Sequence, residues 1–410
     1  MNRTFKTFSF VACLALLSAA PVFTQTPSAE ATPEATTTAP VAYVYVQTTN
    51  GINVFDATTT GKLTLVKGSP FSTTGQMEGI NGKYLISVGT NYLHTYTIES
   101  NGAVGKQASE INTQGFSGAA CGNTSGLASF LDHSGKYFYV QLSGIFNSGS
   151  VACVAWQSYE VQTSGTLKFL GSIEYNGSEG HDATSTLGPT VSSNDKFAYG
   201  IFPEFAGYST TSFSTLTRTS GAALQVTENF TEKDPATDPN LANGPWAFFP
   251  SLVKADPASH LAVLLVNTSF SSCCDVYGSE QLASYTINDA TGGISSTNTW
   301  EKMPTPEIVN ISNMNMAPSG KLLAVAGTGL QIFHFNGAAP ITKYSAVLLP
   351  AVQIDQLAWD NDNHLFALSY KTGELYVYTV TPTSINEASG SPYNVKNAYG
   401  LKGLVVVPKL

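Results

Sequence analysis

Gly82-Lys83-Tyr84-Leu85-Ile86-Ser87-Val88, followed after a short polar loop by Tyr96-Thr97-Ile98, is one copy of a phrase that runs through the chain. A polar or Gly turn leads into Lys or His, and an apolar strand follows. A polar loop, an aromatic strand, a Gly-containing turn and one more apolar strand complete the unit. Copies begin near Tyr43, Lys83, Lys136, Lys196, His260, Lys321 and His364, with spacings of 53, 60, 64, 61 and 43 residues from Lys83 onward. Four short strands repeated at this period are the mark of a β-propeller, in which each repeat is one blade. The expected fold is all-β, a seven-bladed propeller of four-stranded antiparallel blades.

Each copy divides into strands A to D. Strand A precedes the Lys/His turn, as Leu127-Ala128-Ser129-Phe130 precedes His133-Ser134-Gly135-Lys136. Strand B follows the turn, strand C carries the aromatic residue, and strand D follows a turn such as Ser164-Gly165-Thr166-Leu167. Short β-branched and aromatic runs bounded by Gly, Asn, Asp and Ser are hairpin chemistry. No segment sustains a 3.6-residue apolar period, so long helices are not expected. The first copy begins at strand B, with Val41 to Val46. The chain ends on Leu404-Val405-Val406-Val407, which matches the start of a copy and lacks the rest. The C-terminal strand is therefore expected to serve as strand A of blade 1, which removes a free sheet edge.

The phrase Tyr43-Val44-Tyr45-Val46, then Gly51-Ile52-Asn53-Val54-Phe55, Gly61-Lys62-Leu63 and Gly68-Ser69-Pro70-Phe71, resembles the YVTN-type, lactonase-like seven-bladed propellers. Gly390-Ser391-Pro392-Tyr393 repeats the last element, and Ala317-Pro318-Ser319-Gly320-Lys321 matches the family's turn. The resemblance spans about Val41 to Leu410 and implies a fold shared with propeller-type 6-phosphogluconolactonases and fungal muconate cycloisomerases. It also implies a central funnel in which such enzymes use Arg, His and Glu on an anionic substrate. Here the chain departs from the pattern. Beyond Arg3 its single arginine is Arg218, which falls near the expected C–D turn of blade 4. No residue role carries over, and 6-phosphogluconolactonase activity is not expected.

Only 11% of the 410 residues are charged, and the formal net charge is −9. This excludes nucleic acid as a partner, because that binding rests on Lys and Arg contacts to phosphate. Residues 1–24 read as a signal peptide: Arg3 and Lys6 precede an apolar run, Phe8 to Leu17, and small residues follow at Ser18 to Ala20. Residues 25–40 form a Thr/Ala/Pro-rich linker. The propeller fills 41–410. The protein is accordingly expected to be exported, periplasmic or extracellular, without a membrane span after cleavage, and monomeric.

In an exported protein an even number of cysteines reads as disulfides. Cys121, in the segment entering blade 3, and Cys153, after its B strand, are expected to pair. Cys273 and Cys274 could form a vicinal bridge. None of the spacings matches a metal site, and neither metal nor cofactor is expected.

Propeller topology puts the D–A and B–C connections on one face. Those of blades 3 to 5 read as long loops, the B–C ones being 142–154, 202–212 and 267–281. Long loops on a rigid scaffold are where binding concentrates. The ligand-binding residues expected there are Trp156, Glu179, His181, Asp182, Glu204, Tyr208, Trp246, Asp275 and Tyr277. This mixture of aromatic faces and carboxylates, without Arg, fits a small neutral or cationic ligand, a sugar or a protein. Catalytic candidates are His181, Asp182 and Glu204, because His titrates near neutrality and can act as a general base. Two readings stand: a non-catalytic binding scaffold using this face, and a hydrolase or isomerase acting on a neutral lactone or sugar. His133, His260 and His364 fall on the opposite face, in A–B turns, and are read as turn residues.

Overall fold

The computed structural model describes residues 39–89, 91–113, 121–146, 152–176, 187–205, 209–218, 224–227, 246–269, 276–400 and 402–409. In chain order, β1 (Ala42–Thr48), β2 (Gly51–Ala57) and β3 (Leu63–Leu65) begin blade 1. Blade 2 is β4 (Gln76–Ile80), β5 (Tyr84–Val88), β6 (Tyr92–Ile98) and β7 (Val104–Asn112). Blade 3 is β8 (Cys121–Leu131), β9 (Tyr137–Phe146), β10 (Ala152–Val161) and β11 (Leu167–Asn176). Blade 4 is β12 (Leu187–Val191), β13 (Phe197–Phe205), β14 (Ser209–Arg218) and β15 (Leu224–Thr227). Blade 5 is β16 (Trp246–Ala255), β17 (His260–Ser269), β18 (Val276–Ile287) and β19 (Ile294–Ser295).

In blade 6, β20 (Val309–Met316) pairs with β21 (Leu322–Asn336), which also takes β22 (Ala339–Lys343) and β23 (Leu348–Gln353). β21 supplies both B and C. It folds back at Gly329, whose φ of 113° suits only glycine, and Phe335 N–H donates to the Lys321 carbonyl. Blade 7 is β24 (Gln356–Trp359), β25 (His364–Ser369), β26 (Glu374–Val380) and β27 (Ile385–Glu387), with β28 (Tyr393–Asn394) added against β26. Helix among the described residues is limited to a 3₁₀ turn at Trp300–Lys302.

The last strand, β29 (Leu404–Pro408), pairs antiparallel with β1 in the register Val44↔Val406 and Val46↔Leu404. The sheet order β29-β1-β2-β3 completes blade 1 and closes the ring as the sequence implies. The innermost strands β29, β4, β8, β12, β16, β20 and β24 touch their neighbours all the way round a central axis.

The apolar runs are continuous because each blade is buried on both faces. Period-2 alternation splits every strand between two neighbours. In β1, Tyr43 and Tyr45 pack toward blade 2, whereas Ala42, Val44 and Val46 pack toward blade 7. In β17, Leu261, Val263 and Leu265 face blade 4, and Ala262 and Leu264 face blade 6. The buried apolar residues accordingly fall into seven clusters, one at each blade junction. The core is a ring of interfaces.

Blades 3 to 5 are taller than the others. Strands β9, β13 and β17 have 10, 9 and 10 residues, against 7, 5 and 6 for β1, β5 and β25. Strands β5, β9, β13, β17 and β25 all start at the Lys/His turn, so the surplus lies at the opposite ends. At ~3.3 Å per residue, three to four residues raise the hairpins by about 10–13 Å. This corrects the expectation of long B–C loops. Residues 142–154 are largely paired, with Leu142↔Ala155 and Ile145↔Ala152. So are 202–212, from Phe202↔Ser212 to Phe205↔Ser209. In 267–281 the pairs Thr268↔Tyr277 and Ser269↔Val276 extend the ladder. The alternating Ser, Thr and apolar residues that looked loop-like are ladder positions.

Candidate functional site

Of the rim residues expected from sequence, Glu204 lies at the raised end of β13, opposite Thr210. Trp246 opens β16 opposite Ser269, and Tyr277 lies in β18 opposite Thr268. The topology therefore brings these three backbone positions to one face, on adjacent blades 4 and 5. Glu179, His181, Asp182, Tyr208 and Asp275 lie outside the described residues, as do Cys273 and Cys274.

Trp156 is not a rim residue. It is 0% exposed, on β10 opposite Gln141 and Ile173. Its ring packs 5.5 Å from that of Phe130, in the cluster joining blade 3 to blade 4. A large aromatic at an inward strand position fills the junction rather than contacting a ligand. The side chains of Cys121 and Cys153, expected to pair, lie outside those described. Cys121 lies opposite Phe146 and Cys153 opposite Gly144, so β9 runs between their strands.

Sequence reading missed a charged group at the axis. Glu78 occupies a bulge in β4, between the pairs Met77↔Ser87 and Gly79↔Ile86. Bulges re-aim a side chain away from the ladder. The Glu78 carboxyl is 2% exposed, and Ser129 Oγ on β8 donates to its Oε2 at 2.7 Å. Lys402, two residues before β29, donates from Nζ to the Ser129 carbonyl. Side chains from blades 1, 2 and 3 thus meet in one place. Lys254, on β16 of blade 5, lies within electrostatic reach of Lys402.

The energetics of the group follow from its burial. Desolvation pushes the Lys402 ammonium down to about 8; Glu78 opposes that fall and Lys254 adds to it. Desolvation also lowers Lys254. It raises the Glu78 carboxyl, against the attraction of Lys402 and the Ser129 hydrogen bond. Both lysines are half-buried as whole residues. In a chain so poor in charge, a Glu or Lys inside an inner strand was the available signal.

Polar side chains tie the rest of the channel wall together. Gln47 Oε1 accepts from Met77 N–H at 2.7 Å. Asn313 and Asn315 of β20 donate across to the carbonyls of Asp355 and Leu357 in blade 7, at 3.1 and 2.7 Å.

The opposite face is built from turns. Asp256 Oδ1 accepts from the N–H groups of Ala258 and His260, and its Oδ2 lies 3.0 Å from His260 Nδ1. Asp360 and His364 repeat this, at 2.6 Å between Oδ2 and Nδ1. The histidines are turn residues, as read from the sequence. Arg218 also lies on this face, in a shallow cleft between blades 3 and 4 with Asp132, Asp195 and Lys196. Among the described residues no group of three or more His, Cys, Asp or Glu could hold a metal, and no helix is long and apolar enough to cross a membrane.

No protein-family model matches the chain, and no curated protein does. Solved structures do. A Bacteroides fragilis protein provisionally named 6-phosphogluconolactonase is 12% identical, with a TM-score of 0.52 over 92% of this chain and 100% of that one. A periplasmic gluconolactonase from Pseudomonas aeruginosa is 14% identical, with a TM-score of 0.51 over 87% and 84%. The chain is similar to both in fold, that of the lactonase-like seven-bladed propellers.

Proposed function

We propose that the chain is an exported, non-catalytic binding scaffold that presents the raised rim of blades 3 to 5 to a small neutral or cationic ligand, a sugar or a protein. The asymmetry of the B–C hairpins carries this reading. A blade needs only five to seven residues in its B strand to pack its neighbours, as blades 1, 2 and 7 do. Hairpins that rise beyond the junctions add surface without adding core. Recognition rests on Glu204, Trp246 and Tyr277, with Glu179, His181, Asp182, Tyr208 and Asp275 from the neighbouring segments. Replacing Glu204 and Asp182 together by Ala should weaken capture of the ligand at least tenfold and leave melting unchanged. Retained capture after the raised hairpins of blades 3 to 5 are trimmed to blade 2 length would refute the assignment.

A second reading, hydrolysis or isomerisation of a neutral lactone or sugar, draws support from the desolvated Lys402–Glu78 pair. A lysine whose pKa lies near neutrality can move a proton. Two neighbours in fold are named as lactonases. Turnover of a panel of neutral lactones at pH 7, abolished by His181→Ala or Lys402→Met, would replace the binding reading with this one.

A further inference from the structure

Blade 4 breaks a rule that its neighbours keep. Near the end of strand C, one residue donates its N–H to the A–B turn of its own blade. The pairs are Ile98 to Lys83, Val161 to Lys136, Ile287 to Ser259, Phe335 to Lys321 and Val380 to Asn363. All five donors are apolar, and Val161, Ile287, Phe335 and Val380 are at most 7% exposed, so they plug the junctions. In blade 4 the same bond runs from Arg218 N–H to the Lys196 carbonyl at 2.8 Å. A cation stands at the place of the plug, and the junction beside it is open. The cleft between blades 3 and 4 holds about 200 Å³, its mouth included. A local rule broken at one blade of a repeat is where function is expected.

Lys196 and Arg218 lie opposite each other, one step beyond the pair Phe197↔Thr217. Like charges in that relation repel. The carboxylates of the cleft are engaged elsewhere. Asp132 accepts from Ser134 Oγ, Tyr137 N–H and Arg218 Nη1. Asp195 Oδ1 accepts from His133 N–H and lies 2.7 Å from its Nδ1. Lys196 is exposed, and among the described residues its ammonium forms no ion pair. We propose that this cleft binds a small aromatic carboxylate, its oxygens on Arg218 and Lys196 and its ring over Phe130, Val191 and Phe197. The guanidinium fork matches the two oxygens of a carboxylate. A volume below the roughly 300 Å³ of drug-sized pockets suits a single ring. Asp132 and Asp195 limit the negative charge the cleft accepts, so a monoanion is preferred to a phosphate dianion. The site lies between two blades on the face opposite the rim, and it does not rest on the rim reading.

Calorimetric titration of the full folded chain at pH 7 tests this, with benzoate as probe and benzamide and inorganic phosphate as comparators. Saturable benzoate binding with a Kd below about 10 mM, absent for benzamide and weaker for phosphate, is expected. Arginine-directed labelling locates it, because Arg218 is the single arginine beyond Arg3. Saturating benzoate should slow phenylglyoxal labelling of Arg218 at least fivefold, read by peptide mass spectrometry, and benzamide should not. Lys196→Met should weaken benzoate at least fivefold, and Arg218→Lys at least tenfold, since the fork is lost while a cation remains for Asp132. Lys321→Met, in the matching turn of blade 6, should leave binding unchanged. Circular dichroism confirms folding, and the exposed change Lys196→Met decides the matter if Arg218→Lys does not fold. Benzoate that fails to saturate, equal binding of benzamide, or tighter binding of phosphate would overturn the site. So would an Arg218 that the reagent never reaches or that benzoate fails to protect, or a Lys196→Met protein that binds as the parent does.

Discussion

Arg218 Nη1 donates to Asp132 Oδ2 at 3.1 Å and so ties the C strand of blade 4 to the A–B turn of blade 3. Asp132 is nearly inaccessible, and its two oxygens also accept from Ser134 Oγ and Tyr137 N–H. The guanidinium lies over the Tyr137 ring at 5.3 Å. Removing Arg218 would leave a buried carboxylate short of its cation. Arg218→Ala should cost about 2–3 kcal/mol in urea unfolding, with more of the loss from Asp132 than from the missing contacts. Asp132→Asn in the same background should recover part of it.

Closure of the ring should matter more than any single side chain. β29 contributes five ladder positions to β1, and Leu404 enters the blade 7–blade 1 core. Deleting 401–410 exposes the β1 edge and opens that junction. A loss above about 5 kcal/mol is expected, comparable to the whole stability of many domains. A truncated chain melting at the parental temperature would show that the ring closes without it.

The architecture was legible because a propeller writes itself in local chemistry. Lys83, Lys136, Lys196 and Lys321 mark the same turn, and the half-copy at Leu404 announces the closing strand. The tall blades were misread because a hairpin rich in Ser, Thr and Gly looks like a loop until its register is known. Pairs such as Glu204↔Thr210 are a property of two segments, which neither segment states alone. Trp156 was misplaced for a related reason: the alternation of β10 sends it into the junction beside Phe130, and one residue of slip would have sent it outward. The axial group was hidden because Glu78, Lys254 and Lys402 come from three blades and are adjacent only after the ring closes.

Burial should separate two chemically similar His–Asp pairs. His364 and Asp360 are each 1% exposed, and Asp360 also accepts the N–H groups of Asp362 and His364. His133 pairs with Asp195 at 2.7 Å, but its side chain is 56% exposed. Asp360→Ala should destabilise by about 3 kcal/mol, from lost buried hydrogen bonds and an unpartnered imidazole. His133→Ala should stay within about 0.5 kcal/mol. Equal losses at the two sites would show that the turn geometry, not the burial, sets their strength.

Lys402 should leave a signature in the pH dependence of stability. Its ammonium titrates near 8 in the folded chain, against 10.5 for an unperturbed lysine. Between these values the unfolded chain binds more protons at this residue than the folded one. Stability therefore rises with pH across that window, because deprotonation relieves the folded state of a desolvated charge. Below pH 8 the lysine is protonated in both states and contributes no slope. The charges acting on it are Glu78 on β4 and Lys254 on β16, and Lys254 shares the downward direction. The buried tyrosines work the other way. Tyr139 is pushed up to about 12 by burial, and Tyr45, Tyr199 and Tyr370 are raised further. They lose stability only as pH climbs past 10, which brackets the lysine window from above. Urea midpoints measured from pH 7 to 10.5 should rise and then level in the parent chain. In Lys402→Met the rise should shrink, leaving the part due to Lys254. Parallel curves for the two proteins between pH 8 and 10 would mean that Lys402 is fully solvated in the channel.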